Sequence, residues 1–506
     1  MNHLIVAPIL LPSIVAALTL LGRRRTLRIA RGISVAACIA LLIVAAVLFG
    51  RAADGTIFVY AVGDWAAPFG IVLVLDRLSA MMLLLSALLA LIVLWYVIAT
   101  GLDRQGWHFH PMFHFQLLGL NGAFLTGDLF NLFVFFEVLL IASYGLMLHG
   151  QGAARLKAGV HYVIVNLVGS TLFLVAIGIL YGITGTLNMA DLAVRVAALP
   201  PGDAGLVRAG AFLLVAVFGL KAALLPLHLW LPGTYANTSP AVAALFAIMT
   251  KVGVYSIIRI VTLVFGEEAG AAAWAPAAWL LPAALLTVVI GYVGLAAAGR
   301  LRELSAFAVI GSTGTLLAAV ALFEPDAMAA ALYYLPHSTF AGAALFLVSD
   351  LIGTRRSGVG GALVEGRPIQ AMGPISVLFL LAAIALVGLP PLSGFIGKLL
   401  ILDAARSHAA APWLWATILV TTLIGIVGLA RAGSLLFWKS TALAKPPVRT
   451  ARAFRGDIAP AAAMLALLAA LAVFAGPAGD FAGAAADQLF TPAAYVQAVL
   501  GGRGGS

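Results

Sequence analysis

Apolar windows of about twenty residues recur from one end of the chain to the other, with short polar segments between them. Each window is long enough to cross a hydrocarbon core of roughly 30 Å as an α-helix. The pattern predicts an all-α polytopic membrane protein with about fourteen transmembrane helices. The predicted helices are 3–21, 32–50, 71–100, 111–126, 128–149, 157–182, 207–231, 239–265, 275–298, 303–323, 326–352, 373–402, 413–437 and 458–476.

Basic residues set the predicted orientation. The first apolar stretch, 4–21, is followed by Arg23, Arg24, Arg25, Arg28 and Arg31. A cleaved signal carries its positive charge before the apolar stretch, so this one is predicted to be a retained helix. With the helix list above, the loops on the inner side hold eighteen Lys and Arg residues, whereas the outer segments hold six. This bias predicts a bacterial cytoplasmic-membrane protein with both termini on the outer side.

Composition narrows the class of function. The chain is 63% hydrophobic and 9% charged, whereas an average soluble protein is about 25% charged. Its one cysteine, Cys38, cannot form an internal disulfide, and the histidines show no zinc-ligand spacing. The sequence contains no P-loop and no dinucleotide-binding glycine motif after a strand. We therefore predict no cofactor and no metal, and we attribute the net charge of +10 to topology rather than to a nucleic-acid partner.

Several predicted helices contain breaks, at Pro226, at Pro336 and at 388–394. Backbone freed by such breaks is tolerated at membrane depth only where protein or a water-filled cavity surrounds it. Two successive sets of five helices each contain a broken helix with a lysine. Because five is odd, the sets would run in opposite directions across the membrane, which predicts an inverted repeat. The predicted units are helices 1–3 (1–110), the repeats 111–265 and 275–437, and a region (438–506) holding a cytoplasmic connector, helix 14 and an outer tail.

The connector is the Lys-rich and Arg-rich loop 439–457, which is predicted to touch lipid head groups or another subunit. The tail is predicted to be a short outer segment with a disordered tip.

Few ionisable side chains lie deep in the apolar windows, and each is a functional candidate because charge in hydrocarbon is costly. They are Glu137, Lys221, His228, Lys251, His337 and Lys398. Lys221 is the expected partner of Glu137, either in a charge-transfer role or as a static pair that fixes helix packing. Asp76, Asp128 and Asp350 lie near predicted helix ends and are expected to be wet carboxylates at the head groups.

Buried lysines can exchange protons near neutral pH, so the three lysines are candidate proton carriers. The alternative for each is an ammonium that snorkels to the interface. His337 and His228 lie beside helix breaks and are candidate proton relays. The alternative for both is a hydrogen-bonded core histidine.

Four motifs together resemble the antiporter-like subunits shared by Mrp-type cation/proton antiporters and respiratory complex I. They are Phe135-Phe136-Glu137, Gly219-Leu220-Lys221 followed by Pro226-Leu227-His228-Leu229-Trp230-Leu231-Pro232, Thr250-Lys251-Val252-Gly253-Val254-Tyr255, and Gly388-Leu389-Pro390-Pro391-Leu392-Ser393-Gly394-Phe395-Ile396-Gly397-Lys398. The resemblance runs from about residue 70 to 440 and is greatest to the D-type subunits of Mrp (Mnh/Pha) antiporters.

The resemblance implies fourteen helices with two inverted five-helix repeats. It also implies an interacting pair Glu137–Lys221, a central relay at Lys251, a link at His337 and a terminal proton group at Lys398. The expected function is proton translocation within a multisubunit monovalent cation/proton antiporter, with Na⁺ as the first cation. The expected partners are a larger homologous subunit, small hydrophobic subunits and membrane lipid.

Two rival functions remain at this point. The first is the proton-pumping membrane subunit of NADH-quinone oxidoreductase or of a membrane-bound hydrogenase, in which redox chemistry elsewhere drives the same groups. The second is a structural subunit that anchors a complex while another subunit transports.

Overall fold

The computed structural model describes residues 3–22, 27–356, 358–366, 368–369, 371–442 and 455–501. Its α-helices are α1 (Ala7–Leu21), α2 (Leu27–Ala52), α3 (Arg77–Thr100), α4 (Phe109–Leu125), α5 (Leu129–Leu148), α6 (Ala153–Thr184), α7 (Met189–Ala197), α8 (Ala204–Lys221), α9 (Trp230–Asn237), α10 (Pro240–Leu263), α11 (Ala277–Ala297), α12 (Leu301–Val320), α13 (Pro325–Arg355), α14 (Met372–Val387), α15 (Ser393–Ala404), α16 (Ala411–Gly433), α17 (Lys439–Ala442), α18 (Ile458–Val473), α19 (Ala475–Leu489) and α20 (Pro492–Leu500). Two strands, β1 (Phe58–Ala61) and β2 (Val72–Leu75), form an antiparallel hairpin.

The apolar windows are helical, so the chain is a mostly helical, polytopic membrane protein. Within the described ranges, ten helices are long and apolar enough to span a membrane, or eleven if the bent pair α18–α19 counts as one span. Two further apolar helices, α1 and α14, are shorter.

The predicted breaks are correct at two of three places. The chain unwinds between α8 and α9 and again between α14 and α15. Pro336, by contrast, lies inside the continuous helix α13. A proline removes one helical hydrogen bond, but neighbouring helices can hold a membrane helix together across that gap. Here α10, α12 and α15 all pack against α13.

The prediction of an all-α chain is wrong at 58–75. The helix expected from residue 71 begins instead at Arg77, because Val72–Leu75 pairs with Phe58–Ala61. Asp76 then ends the strand and caps α3 by accepting a hydrogen bond from the Ser79 amide. A short apolar run read in isolation does not distinguish a buried strand from the start of a helix.

The predicted outer tail is helical as far as it is described. It forms the helices α19 and α20, which bury apolar side chains against the bundle, and its outer location remains a prediction. The Phe481 ring packs on Phe49 at 4.4 Å between centroids. The tail tip from residue 502, Arg23, Arg24 and Arg25, and most of the connector 439–457 lie outside the described residues.

Small residues allow the helices to approach closely. A Cβ atom added at Gly122 of α4 would lie 2.1 Å from the Phe135 ring of α5. A Cβ at Gly291 of α11 would lie 2.2 Å from the backbone of Gly311 on α12. Membrane helices pack through such small positions because lipid supplies no hydrophobic force between them.

The helix α10 lies at the centre of the protein, and all of its 24 residues are buried. It packs against α3, α8, α12 and α13. The middle of this helix, which carries Lys251, is therefore surrounded by protein.

The loops predicted on one side of the membrane contact one another. Such contacts at the predicted inner end are the ion pair Arg31–Asp103, the ion pair Arg355–Asp457 and the bridge Arg300–Ala362. At the opposite end the bridges are Leu73–Thr126 and Asp128–Asn188.

Burial alone would raise the pKa of Asp103, but hydrogen bonds from Arg31 and His110 lower it to about 2. Asp103 is therefore a charged anchor between the start of α2 and the segment after α3.

Candidate functional site

Lys251 occupies the interior of α10 and is completely buried. Its Nζ donates to Thr250 Oγ1 and to Thr313 Oγ1 of α12, both at 3.3 Å. Two neutral hydroxyl groups are weak compensation for a buried ammonium. The alternative that Lys251 snorkels to an interface is therefore excluded by its position.

Lys221 is the last residue of α8, immediately before the unwound segment 222–229. Its Nζ donates to Asn166 Oδ1 of α6 at 2.8 Å. At the end of α8 the Leu220 carbonyl accepts from Trp230 Nε1 at 3.0 Å and from the Ala223 amide at 3.2 Å. The unwound backbone thus presents a buried lysine beside polar groups.

Glu137 of α5 does not contact Lys221 directly. Among the described residues no ion pair within 4.0 Å joins the two, although they are close enough to attract each other. Glu137 accepts a short hydrogen bond from Ser170, which lies one turn after Asn166 on α6. The interaction predicted for Glu137 and Lys221 is therefore one at a distance in this structure, with two neighbouring positions of α6 between them. Two polar side chains on a third helix satisfy the carboxylate and the ammonium separately.

A cavity of about 10 Å³ separates Lys221 from α10. Asn166, Met249 and Val252 also line it. This volume is about the minimum for one water molecule. The helices approach closely beside it, since a Cβ at Gly253 would lie 2.6 Å from the Phe218 carbonyl oxygen.

His337 of α13 is completely buried, and its Nδ1 lies 3.0 Å from Ser393 Oγ at the start of α15. Its Nε2 has no hydrogen-bond partner in the described structure. The charges of Lys398 and Lys251 both act on this ring. His337 is therefore within electrostatic range of both lysines, and its Nε2 has no partner in the described structure.

Lys398 of α15 is buried, so it does not snorkel to the outer interface either. Its Nζ donates to Thr422 Oγ1 at 2.8 Å and to the Val387 carbonyl oxygen at 2.9 Å. That carbonyl is at the end of α14, which Gly388 caps in the left-handed conformation, φ +76°. Tyr292 adds its hydroxyl at 3.4 Å and its ring at 5.2 Å. The second break thus supplies a backbone acceptor to a buried lysine.

Hydroxyl groups join α12 to α13 near these positions. Thr313, which bonds Lys251, follows Ser312 on α12. Ser312 donates to Ser338 of α13 at 2.7 Å, and Ser338 follows His337. Because a hydroxyl both donates and accepts, such groups can pass protons between titratable side chains. Hydroxyl groups of this kind therefore lie beside both Lys251 and His337.

The sixth predicted residue is His228. It lies in the unwound segment 222–229 and is 8% exposed, and its Nδ1 has no partner in the described structure. No described hydrogen bond links it to the other five predicted residues. Its relay role remains a prediction.

Sequence reasoning missed a buried ion pair between Asp76 and Arg259. The Asp76 carboxylate accepts from Arg259 Nη1 at 2.5 Å and from Nη2 at 2.8 Å. The wet carboxylate expected for Asp76 is therefore wrong. The rings of Tyr255 and Tyr495 lie 5.5 and 5.3 Å from the guanidinium carbon. The sequence contained one signal for this pair, because Arg259 is a charged residue in the last two turns of the apolar window 239–265.

The hydroxyl and amide partners of the site were missed as well. Asn166, Ser170, Thr313, Ser393 and Thr422 are uncharged polar residues in apolar helices. Serine and threonine are ordinary in membrane helices, so nothing in the sequence separates these from the rest.

Gly394→Ala is expected to lower stability and to displace His337. The new Cβ would lie 2.2 Å from the Ala385 carbonyl oxygen and 2.7 Å from His337 Cε1. Overpacking of this kind costs about 1–3 kcal/mol. The thermal unfolding midpoint of the purified protein measures the effect. Gly373→Ala in α14 is the control, because its Cβ meets nothing within 4 Å. Equal midpoints for the two variants would contradict the packing described here.

The four sequence motifs lie within a segment that matches a known protein family. Residues 126–442 match the transmembrane family described as NADH:quinone oxidoreductase/Mrp antiporter. The chain is 41% identical to the D-type subunit of a probable K(+)/H(+) antiporter of Rhizobium meliloti, over 99% of this chain and 98% of that one. It is 35% identical to the D-type subunit of the Na(+)/H(+) antiporter of Bacillus subtilis, over 99% and 100%.

A solved structure agrees with these relatives. The chain resembles a chain in the Mrp complex from Dietzia sp. DQ12-45-1b, with a TM-score of 0.88 and 28% identity over 99% of this chain and 100% of that one. The sequence comparisons and the structural comparison thus agree on the same protein family. The chain belongs to the NADH:quinone oxidoreductase/Mrp antiporter family of transmembrane proteins.

Proposed function

We propose that the chain is the proton-translocating subunit of a multisubunit monovalent cation/proton antiporter. The observation that carries this proposal is the set of buried titratable groups Lys221, Lys251, His337 and Lys398, of which Lys221 and Lys398 stand beside helix breaks and the last three contact hydroxyl groups. A structural subunit has no need of such a set, because buried charges stabilise a fold less well than apolar packing does.

In the proposed mechanism protons move along Lys251, His337 and Lys398. Thr313, Ser312 and internal water connect these groups. Arrival or departure of charge at Lys251 changes the field at Lys221, across the small cavity beside α10. Lys221 and Glu137 then strengthen or weaken their attraction by moving relative to the two polar positions on α6.

Ordinary ion gradients are large enough to drive such a switch. Moving one charge through 100 mV is worth about 2.3 kcal/mol. One pH unit corresponds to about 1.36 kcal/mol for one proton. The switch therefore needs to separate its two states by only a few kilocalories per mole.

We propose the finer topology from the sequence together with the fold. It has fourteen spans and two inverted repeats, 111–265 and 275–437, with both termini outside the bacterial cytoplasmic membrane. Support comes from the shared packing of the halves, in which α6 packs on α8 and α9, and α13 packs on α14 and α15. The contacts between loops of the same predicted side give further support.

The proposed partners are a larger homologous subunit, small hydrophobic subunits and membrane lipid. The side chain of Glu137 is only partly buried, and α5 and α6 expose apolar residues near it, including Ile141 at 64% and Leu167 at 61%. A neighbouring membrane subunit on this face would complete the surroundings of the carboxylate.

Dissipation of a pH gradient tests the function directly. Everted vesicles containing the whole complex are energised and then receive Na⁺, K⁺ or Li⁺, because the relatives are named for both Na⁺ and K⁺. We expect cation-dependent dissipation, with Na⁺ as the first candidate. Vesicles without the complex are the control.

The same vesicles distinguish a second candidate, proton pumping in a respiratory complex, which the family description includes. If none of the three cations dissipates the pH gradient and a reduced electron donor acidifies the vesicles, redox-driven pumping would replace antiport as the proposed function. Flavin or iron in the purified complex would agree with that result.

A further inference from the structure

A polar cavity of about 420 Å³ opens at the end of the protein where the loops predicted inside meet. The end of α3, the start of α6, the start of α10 and the start of α12 contribute to its wall. None of the six predicted site residues lines it. Its volume is that of a typical small-molecule site.

Three arginines line the cavity: Arg104, Arg155 and Arg302. The charges of Arg155 and Arg302 are close enough to repel each other. Arg155 donates to the carbonyl oxygens of His149 and Asn237, which do not neutralise its charge. Arg104 is exposed and has no ion pair in the described structure. Like charges gathered around one cavity favour an anion between them.

The two carboxylates in the wall are already engaged. Asp350 accepts from Tyr96 OH at 2.9 Å and lies 3.5 Å from Arg302 Nη2. Asp457 accepts two hydrogen bonds from Arg355, at 2.8 and 3.0 Å, and the two charges cancel. Once these pairs are counted, the cavity wall retains a net positive charge.

The start of α10 also faces this cavity, through Ser239, Pro240 and Ala241. Amides in the first turn of a helix have no intrahelical acceptor, and the helix dipole favours an anion there. Ser239 precedes the helix and makes no side-chain cap. It is 2% exposed, yet its hydroxyl has no hydrogen-bond partner in the described structure. A buried donor of this kind calls for an acceptor.

We infer that this cavity binds a phosphate group, carried either by an anionic lipid head group or by free phosphate. Guanidinium groups bind phosphate oxygens through paired, charge-assisted hydrogen bonds. A helix N-terminus supplies further donors to the same anion. Because Arg155 belongs to α6 and Arg302 to α12, the bound anion would join the first predicted repeat to the second.

Binding to the purified complex tests this inference without any transport measurement. Arg104→Gln/Arg302→Gln removes two cavity charges. Arg300→Gln/Lys157→Gln is the matched control, because both residues are exposed, are predicted on the same side and lie outside the cavity wall. Arg104→Gln alone is the second cavity variant, since it breaks no described hydrogen bond and should leave the fold intact.

Two probes separate the sources of phosphate, both in a detergent without phosphate groups. Equilibrium dialysis measures inorganic phosphate, and native mass spectrometry measures phosphatidylglycerol against phosphatidylcholine. We expect at least one probe to bind about tenfold more weakly to the cavity double variant than to the control, since charged hydrogen bonds are worth about 1.5–3 kcal/mol.

The pattern of loss identifies the source. Loss of phosphatidylglycerol alone indicates a lipid site, and loss of inorganic phosphate indicates a site for the free anion. The inference is overturned if wild type binds neither probe, or if the cavity and control variants bind both probes equally. Because the readout is binding, either result leaves the proposed antiport to be decided by its own experiment.

Discussion

Lys251→Met is expected to abolish cation-dependent proton movement while leaving the protein at least as stable as wild type. Lys251 is completely buried, and two hydroxyl groups at 3.3 Å are the hydrogen-bond partners of its Nζ. Methionine has a similar length and no charge, so it removes the desolvation cost of the ammonium. If Lys251 served packing alone, its replacement by an apolar side chain would change the stability of the protein and leave transport intact.

The vesicle assay measures the transport half of this prediction, at matched amounts of assembled complex. We expect Lys251→Met to fall to the signal of vesicles without the complex. Ile248→Met, at another completely buried position of α10, is the matched control and should retain transport. If the Lys251→Met complex transports at the wild-type rate, Lys251 is not part of the proton path. The structural-subunit hypothesis would then be favoured.

Arg259→Met is expected to be the most destabilising of these substitutions. It leaves the buried Asp76 carboxylate without its two hydrogen bonds from the guanidinium. Breaking a buried ion pair from one side costs about 3–5 kcal/mol, because the remaining charge is uncompensated. The thermal unfolding midpoint of the purified protein should fall accordingly.

A second substitution tests the cause of that loss. Asp76→Asn neutralises the carboxylate, and asparagine still caps α3 well. We therefore expect Asp76→Asn/Arg259→Met to recover most of the stability lost in Arg259→Met. Arg406→Met is the exposed control: its side chain is 78% exposed and its pair with Asp403 is 4.0 Å long, so the change should be within about 0.5 kcal/mol. An equally mild Arg259→Met would show that the buried pair does not hold α10 to α3.

The helical architecture could be predicted because hydrocarbon imposes a strong rule on the chain. Every backbone group must be satisfied within the segment, so an apolar window becomes a helix. The same rule explains why the sequence revealed the breaks at Pro226 and at Gly388. Where protein rather than lipid surrounds the chain, neighbouring segments can satisfy its backbone groups, and two predictions made from the rule were wrong there. Pro336 continues a helix, and Val72–Leu75 pairs as a strand.

The titratable members of the site could be predicted for a similar reason. A lysine or glutamate within a long apolar window is costly, so Glu137, Lys221, Lys251 and Lys398 are conspicuous. Their surroundings were not predictable. Asn166 stands 55 positions from the lysine that it accepts from, and no local pattern connects the two.

The sequence by itself determined that this is a many-helix membrane protein that resembles the subunits shared by Mrp antiporters and respiratory complex I, with lysines in apolar windows beside two breaks. These features depend on hydrophobicity, charge and local motifs, which are properties of neighbouring residues. Only the tertiary structure decided that α6 links Glu137 to Lys221, that Asp76 binds Arg259, and that three arginines gather around one cavity. Such contacts depend on the relative rotation and depth of distant helices, which are fixed by the packing of the whole bundle rather than by any one segment.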